Sequence, residues 1–82
     1  MSEGEQPKLV TGSIKWYNTE KGYGFLVVEG YSTDIFLHAK KLKNSGILSN
    51  PVEGEIYECC VESGPKGLFA TNLTKKVLTN AN

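Results

Sequence analysis

Apolar and polar residues alternate over several short stretches of the chain, and glycine, proline and asparagine separate these stretches. Alternation with a period of two is typical of β-strands, because neighbouring side chains of a strand point to opposite faces. Strands are predicted near residues 10–17, 22–28, 34–39, 55–62 and 67–74. Since no amphipathic helix of three turns interrupts them, the pattern predicts an all-β fold, a five-stranded antiparallel Greek-key barrel.

The stretch from 40 to 54 predicts a long connection between the third and fourth strands. Pro51 has no N–H group to donate to a sheet and argues against a strand there. One helical turn is expected near Ala39 to Leu42, at the start of this connection.

Two of the predicted strands carry ring side chains on one face. Tyr23 and Phe25 share a face of the second strand, and Phe36 and His38 share a face of the third. Pairing the two strands as a hairpin brings the four rings together, and a contiguous exposed patch of this kind usually marks a binding surface. The alternative is that these rings belong to the core, but the opposite faces of both strands already carry aliphatic residues that fill it.

Gly22 and Gly24 flank Tyr23 without side chains. They leave room for a base or a backbone to approach the ring, although a turn or a bulge would also explain them.

Three motifs follow one another along the chain. Residues 12–18, 21–26 and 34–38 have the sequences Gly-Ser-Ile-Lys-Trp-Tyr-Asn, Lys-Gly-Tyr-Gly-Phe-Leu and Asp-Ile-Phe-Leu-His. Together with the turn at 62–67 they resemble a cold-shock domain from about Leu9 to Lys76. RNA-recognition-motif domains have a stretch like the second motif, but helices separate their motif strands, and this chain predicts none of that length.

The resemblance implies an oligonucleotide-binding (OB) fold, a barrel whose second and third strands face the ligand. It also implies sequence-tolerant binding of single-stranded RNA and DNA. The expected role is that of an RNA chaperone that keeps weak secondary structure open, extending to transcription antitermination or translation regulation.

Trp16 and His38 depend on the resemblance for their assignment. Simple alternation places Trp16 on the core side with Ile14, whereas the family uses a tryptophan here as a stacking residue that a bend or bulge re-aims. His38 could be a structural histidine, but it shares a face with Phe36 and matches the binding histidine of the family.

The charge is balanced, with nine lysines, no arginine and nine acidic residues. Alternation places Lys15 on one strand face with Tyr17, and both Lys15 and Lys21 are positioned to follow a phosphate backbone. Residues 53–66, in contrast, contain four glutamates and a single lysine, Lys66. The predicted molecule is therefore polarised. The lysines at 40, 41 and 43 are interpreted as solvated.

Departures from the family pattern concern Ser13, which stands where a lysine often precedes the first-strand apolar residue, and several aromatic positions. The chain has Ala39 where an aromatic often follows the histidine, and Ile47 or Leu48 replaces an aromatic of the long connection. Phe69 is an unexpected ring on the last strand, which either supplies a ring at the border of the platform or packs against a tail. The predicted nucleic-acid-binding residues are Lys15, Trp16, Tyr17, Lys21, Tyr23, Phe25, Phe36, His38, Lys66 and Phe69.

Cys59 and Cys60 are adjacent in a predicted strand, so their side chains should point to opposite faces and remain free thiols. Cys59 is predicted in the core and Cys60 on the outer side. With one histidine, no spaced cysteine pair and no phosphate-cradling loop, we expect no metal, no cofactor, no small-molecule substrate and no enzyme activity.

Residues 8–77 are predicted to form one domain, with flexible tails at 1–7 and 78–82. The absence of a leader and of a long apolar run predicts a cytoplasmic protein without a membrane span, and a monomer is expected. The alternative function is an OB-fold protein-interaction module with a weakened nucleic-acid site, which the neutral charge would suit.

Overall fold

The computed structural model describes residues 9–76, and the predicted tails at 1–7 and 78–82 lie outside the described residues. The elements in chain order are β1 (Leu9–Asn18), β2 (Tyr23–Val28), β3 (Ile35–His38), α1 (Ala39–Asn44), β4 (Ile56–Gly64) and β5 (Gly67–Lys76). All five predicted strands are confirmed, with ends that differ by at most two residues.

The five strands close into a barrel in the order β1-β2-β3-β5-β4, which confirms the predicted OB-fold. Four of the neighbouring pairs are antiparallel, and β3 runs parallel to β5. The one parallel pair in this otherwise antiparallel barrel has a geometric reason. In a closed ring with an odd number of strands, directions cannot alternate throughout, so one pair must be parallel.

The core lies inside this ring and consists of the inward side chains that alternation predicts. Leu26, Ile35 and Leu37 are fully buried, and Tyr57 from β4 is equally inaccessible. Leu42 of α1 packs into the same cluster, so the helix adds to the barrel core. Burial of such side chains is the main source of stability in a domain of this size.

The helix α1 begins where β3 ends. His38 is its N-cap, and its imidazole Nδ1 accepts a hydrogen bond from the backbone N–H of Lys40. At the other end Ser45 donates its hydroxyl to the carbonyl of Lys41 and accepts a hydrogen bond from the backbone N–H of Leu73. The helix is therefore tied to β3 at its start and to β5 at its end.

The two cysteines are free, as predicted, and Cys59 is in the core. Cys60, predicted on the outer side of the strand, is nevertheless buried, with an exposed fraction of 4%. Cys60 lies opposite Leu9 and Thr71 on the neighbouring strands, and its Sγ accepts a hydrogen bond from the Asn72 amide. Asn72 adopts a positive φ of 50°, at a point where the register between β4 and β5 shifts.

Candidate nucleic-acid interface

Five rings from three adjacent strands form one continuous cluster on the outside of the barrel. This ring face consists of Trp16, Tyr23, Phe25, Phe36 and His38. Ring centroids are 5.3 Å apart for Trp16 and Phe25, 5.6 Å for Phe25 and Phe36, and 6.1 Å for Phe36 and His38. The rings meet at tilted or edge-to-face angles, which is the arrangement that aromatic quadrupoles favour.

The register between β2 and β3 produces most of this cluster. Tyr23 lies directly opposite His38, and Phe25 lies directly opposite Phe36. Directly opposed residues of an antiparallel pair point to the same side of the sheet. The predicted grouping of these four rings is confirmed.

Trp16 joins the ring face through a β-bulge. Ile14 pairs with Leu26 and Trp16 pairs with Phe25, which leaves Lys15 as an extra residue in β1. The extra residue reverses the alternation, so Ile14 enters the core while Trp16 turns outward with 38% of its surface exposed. Simple alternation is therefore wrong at Trp16, and the bend expected from the resemblance is present.

Gly24 allows β1 and β2 to approach each other closely. A Cβ atom at Gly24 would clash with the carbonyl oxygen of Trp16 and would lie 2.7 Å from the Cα of Tyr17. Gly24 is buried, so it serves strand packing and leaves no opening for a base beside Tyr23. Gly22, with a φ of 73°, occupies the turn between the two strands.

Tyr17 lies on the other side of β1 from the ring face. It is opposite the buried Gly24 and packs against the core, and burial raises the pKa of its hydroxyl. Alternation predicted that Tyr17 shares a strand face with Lys15. This is wrong, because the bulge at Lys15 interrupts the alternation before Tyr17. A contact between Tyr17 and nucleic acid stays a prediction.

His38 is held in a fixed orientation by its capping bond. The 3.0 Å bond from the N–H of Lys40 to Nδ1 leaves the proton of the neutral ring on Nε2. The exposed imidazole therefore presents a ring surface and an N–H donor at the edge of the ring face.

The predicted phosphate-binding lysines lie at different borders of the ring face. Lys15, in the bulge, forms a 2.9 Å ion pair with Asp34, and both side chains are substantially exposed. Lys21 is exposed in the turn between β1 and β2, where its backbone N–H donates to the side chain of Asn18. Lys66 is exposed in the turn between β4 and β5.

The acidic residues of β4 and the loop before it are partly neutralised by lysines of β5. Glu55 pairs with Lys75 at 3.0 Å, and Glu58 pairs with Lys76 at 3.7 Å. Hydrogen bonds to Glu55 and the charge of Lys75 outweigh the opposing effect of burial and lower the pKa of this carboxylate. These pairs offset part of the negative charge on the β4–β5 side of the barrel.

A groove of about 590 Å³ extends the ring face toward β5. Phe25, Phe36 and His38 line one side of it, and the turn at 64–67 and Phe69 line the other. Phe69 is the register partner of Phe36 in the parallel pair, so both side chains are on the outer face of the barrel. The structure therefore places Phe69 at the border of the ring face.

Lys41 of α1 also reaches this groove. Its Nζ atom lies 5.5 Å from the centroid of the Phe69 ring, and the residue is half-buried. Lys41, interpreted from the sequence as a solvated lysine, is therefore also close to an aromatic ring. Sequence patterns did not indicate this contact because it joins a helix and a strand 28 positions apart.

The positions where the resemblance predicts aromatic residues, which this chain lacks, have different surroundings. Ala39 begins α1 and donates its backbone N–H to the carbonyl of Gly22. Ile47 packs against the core, whereas Leu48 is exposed. Neither replacement places a ring at the ring face.

Within residues 9–76 the structure contains no group of three or more His, Cys, Asp or Glu residues with the geometry of a metal site. In the same part of the chain no helix is long and apolar enough to cross a membrane.

Comparison with known proteins agrees with the fold. Residues 10–76 match the family model described as the "'Cold-shock' DNA-binding domain". The major cold shock protein of Micrococcus luteus is 40% identical over 67 residues, which cover 82% of this chain and 98% of that protein. Cold shock-like protein CspE of Bacillus anthracis is 41% identical over 66 residues (80% and 96%), and cold shock-like protein CspA of Shewanella violacea is 40% identical over 63 residues (77% and 89%). The chain belongs to the cold-shock domain family of nucleic-acid-binding proteins.

Proposed function

We propose that this protein binds single-stranded RNA and DNA with little sequence discrimination and acts as an RNA chaperone that keeps weak secondary structure open. The observation that carries the proposal is the ring face, five contiguous rings on the outside of three adjacent strands. Each base offers a π-face to such rings, so every base gains a similar stacking energy. The action is binding without turnover, and it suits a role in transcription antitermination or translation regulation.

Strandedness follows from access to the bases. In a duplex the base faces are stacked on each other, whereas an unpaired strand can place successive bases on successive rings. Binding therefore draws the equilibrium of a weak hairpin toward its open form by mass action.

The lysine positions support an electrostatic contribution despite the zero net charge. Lys15, Lys21 and Lys66 lie at the borders of the ring face and its groove, while β5 lysines pair with glutamates elsewhere. A phosphate could compete with Asp34 for Lys15, because the ion pair is exposed and weak. Each phosphate contact with a single strand should add about 0.7 to the slope of log affinity against log salt.

The neutral charge and the apolar groove also suit a second function, a module that binds a protein through the ring face. Salt dependence separates the two functions. An apolar protein interface would keep its affinity as salt rises, whereas phosphate contacts release counterions and lose affinity.

The test is a titration of the fluorescence of Trp16, which is the only tryptophan and lies on the ring face. Oligothymidine, oligouridine and a duplex of matched length are compared at two salt concentrations. We expect saturable quenching by both single strands, weaker binding at the higher salt and little response to the duplex. Equal binding to the duplex, or no binding to any oligonucleotide, would contradict the proposal.

Chaperone action is tested separately with a hairpin that carries a fluorophore and a quencher at its ends. Adding the protein should open a weak hairpin without any nucleoside triphosphate and leave a strong hairpin closed. A protein that binds the single strand but never opens the weak hairpin is a binder and not a chaperone.

A further inference from the structure

The parallel pair of strands β3 and β5, called the seam below, lies between the ring face on one side and the ring of Phe69 on the other. Phe36 and Phe69 are register partners, yet the groove of about 590 Å³ opens between the ring face and the turn at 64–67. Ligand pockets in proteins commonly measure about 300 to 1,000 Å³. The groove therefore has room for a ligand group of its own beside the bases on the ring face.

Phe69 packs with its ring edge against the turn at 64–67, and the ammonium group of Lys41 lies over its ring. A Cβ atom at Gly64 would lie 2.9 Å from Cε1 of Phe69, so the glycine is what lets the ring lie against this turn. The Nζ of Lys41 lies 5.5 Å from the ring centroid. Phe69 itself is half-buried, so part of its ring is open to solvent.

We propose that Phe69 and Lys41 form an additional nucleobase site that extends the ring face across the seam to β5. The proposal rests on the proposed function, because its ligand is the next base of a single strand already bound to the ring face. The base stacks on Phe69 where Lys41 now lies, and Lys41 moves from the ring to the adjoining phosphate.

Two observations favour a nucleotide over an apolar peptide as the occupant of the groove. The groove is continuous with the ring face, since Phe36 and His38 line both. The cations Lys41 and Lys66 line it, and the ion pair with Lys15 offsets the charge of Asp34, which also lines it, so the lining complements a phosphate backbone. A base stacked on an aromatic ring is also worth more than an exposed cation–π contact, so displacing the ammonium is favourable.

The first experiment compares wild type with Phe69→Leu, which keeps apolar bulk but removes the π-face. Affinities are measured for oligothymidines that differ in length by single nucleotides. We expect equal affinities for the shortest strands that bind, and a loss of about 5-fold to 150-fold for strands long enough to reach β5, the range expected of one stacked base. The matched control is Tyr31→Leu, which removes an exposed ring that does not line the groove and should bind like wild type at every length.

The outcomes separate this proposal from the proposed function. If wild type binds no oligonucleotide, the proposed function fails. If wild type binds single strands and Phe69→Leu matches it at every length, the additional site is refuted while the proposed function stands. Phe69→Trp should retain the affinity for long strands, and a loss equal to that of Phe69→Leu would also refute a stacking site.

A second experiment uses the wild-type protein and does not depend on the folding of any variant. Chemical shifts of the Phe69 ring and the Lys41 side chain are followed during titration with a short and a long oligothymidine. Both should move only with the long strand, and unperturbed Phe69 signals at saturation would overturn the proposal. Lys41→Met should reduce the salt slope for the long strand by about 0.7, and an unchanged slope would show that Lys41 contacts no phosphate.

Discussion

Phe25 occupies the centre of the ring face, so replacing it by leucine tests the stacking mechanism most directly. Its ring centroid lies 5.3 Å from that of Trp16, 6.4 Å from that of Tyr23 and 5.6 Å from that of Phe36. Leucine keeps an apolar side chain at this half-buried position but offers no π-face to a base. The substitution therefore removes stacking while retaining much of the packing.

The expected loss of affinity follows from the energy of one stacked base. Base–aromatic stacking contributes about 1 to 3 kcal/mol, which corresponds to an affinity about 5-fold to 150-fold weaker. The loss of stability is set by the three ring contacts, each worth about 0.5 to 1.5 kcal/mol. Because Phe25 is at the surface, we expect the lower end, about 1.5 kcal/mol in total, and a fall of the unfolding midpoint by about 6 to 12 °C.

The assay is fluorescence anisotropy of a labelled oligouridine, measured well below the unfolding midpoints of both proteins. The matched control is Val27→Ala, which changes an exposed side chain two residues along β2 and should leave the affinity unchanged. A folded Phe25→Leu protein that binds as tightly as wild type would refute base stacking on the ring face. Global unfolding of Phe25→Leu would show instead that Phe25 is a core residue.

Three further outcomes are expected. Gly24→Ala should lower the free energy of unfolding by about 1 to 3 kcal/mol or more, because the added methyl group meets the backbone of β1. It should also alter the near-ultraviolet circular dichroism of Trp16. An unfolding midpoint within error of that of wild type would contradict the close approach of the two strands. Lys21→Ala should weaken binding to all single strands alike and reduce the slope of log affinity against log salt by about 0.7. An unchanged slope would show that Lys21 contacts no phosphate. Burial is the main cause that raises the pKa of Tyr57 to about 12 and of Cys59 to about 11, above their ordinary values of 10.0 and 9.0. Their neutral forms therefore stabilise the fold fully below pH 9, and this stabilisation is lost as the pH rises from 9 to 12. Urea unfolding should show the decline, and a free energy of unfolding independent of pH across this range would contradict it.

The strands and the core could be predicted because both depend on local alternation. Leu26 and Leu37 point into the barrel, whereas their neighbours Phe25 and Phe36 point outward. This period of two is visible in the sequence alone. The grouping of four rings followed from the same period and one hairpin. The binding role of each ring stays a prediction, since geometry shows where the rings lie and not what they bind.

The features that alternation alone could not predict depend on pairings between distant strands. The bulge at Lys15 re-aims Trp16 only because β1 and β2 pair in this register, and alternation alone assigned Trp16 to the core. The burial of Cys60 depends on Asn72 of β5, and the contact of Lys41 with Phe69 depends on how α1 is tied to that strand.

The mutual packing of the rings has a consequence for which partner must adapt during binding. Trp16, Phe25 and Phe36 already contact one another in the free protein, so a base need not immobilise them, and the conformational entropy of these side chains is lost on folding and not on binding. The adjustment then falls on the nucleic acid, which must unstack and bend to match a fixed surface. A strand that is weakly stacked on itself, such as one rich in pyrimidines, has the least order to give up. On the proposed stacking mechanism, a preference among sequences would therefore arise from the flexibility of the strand.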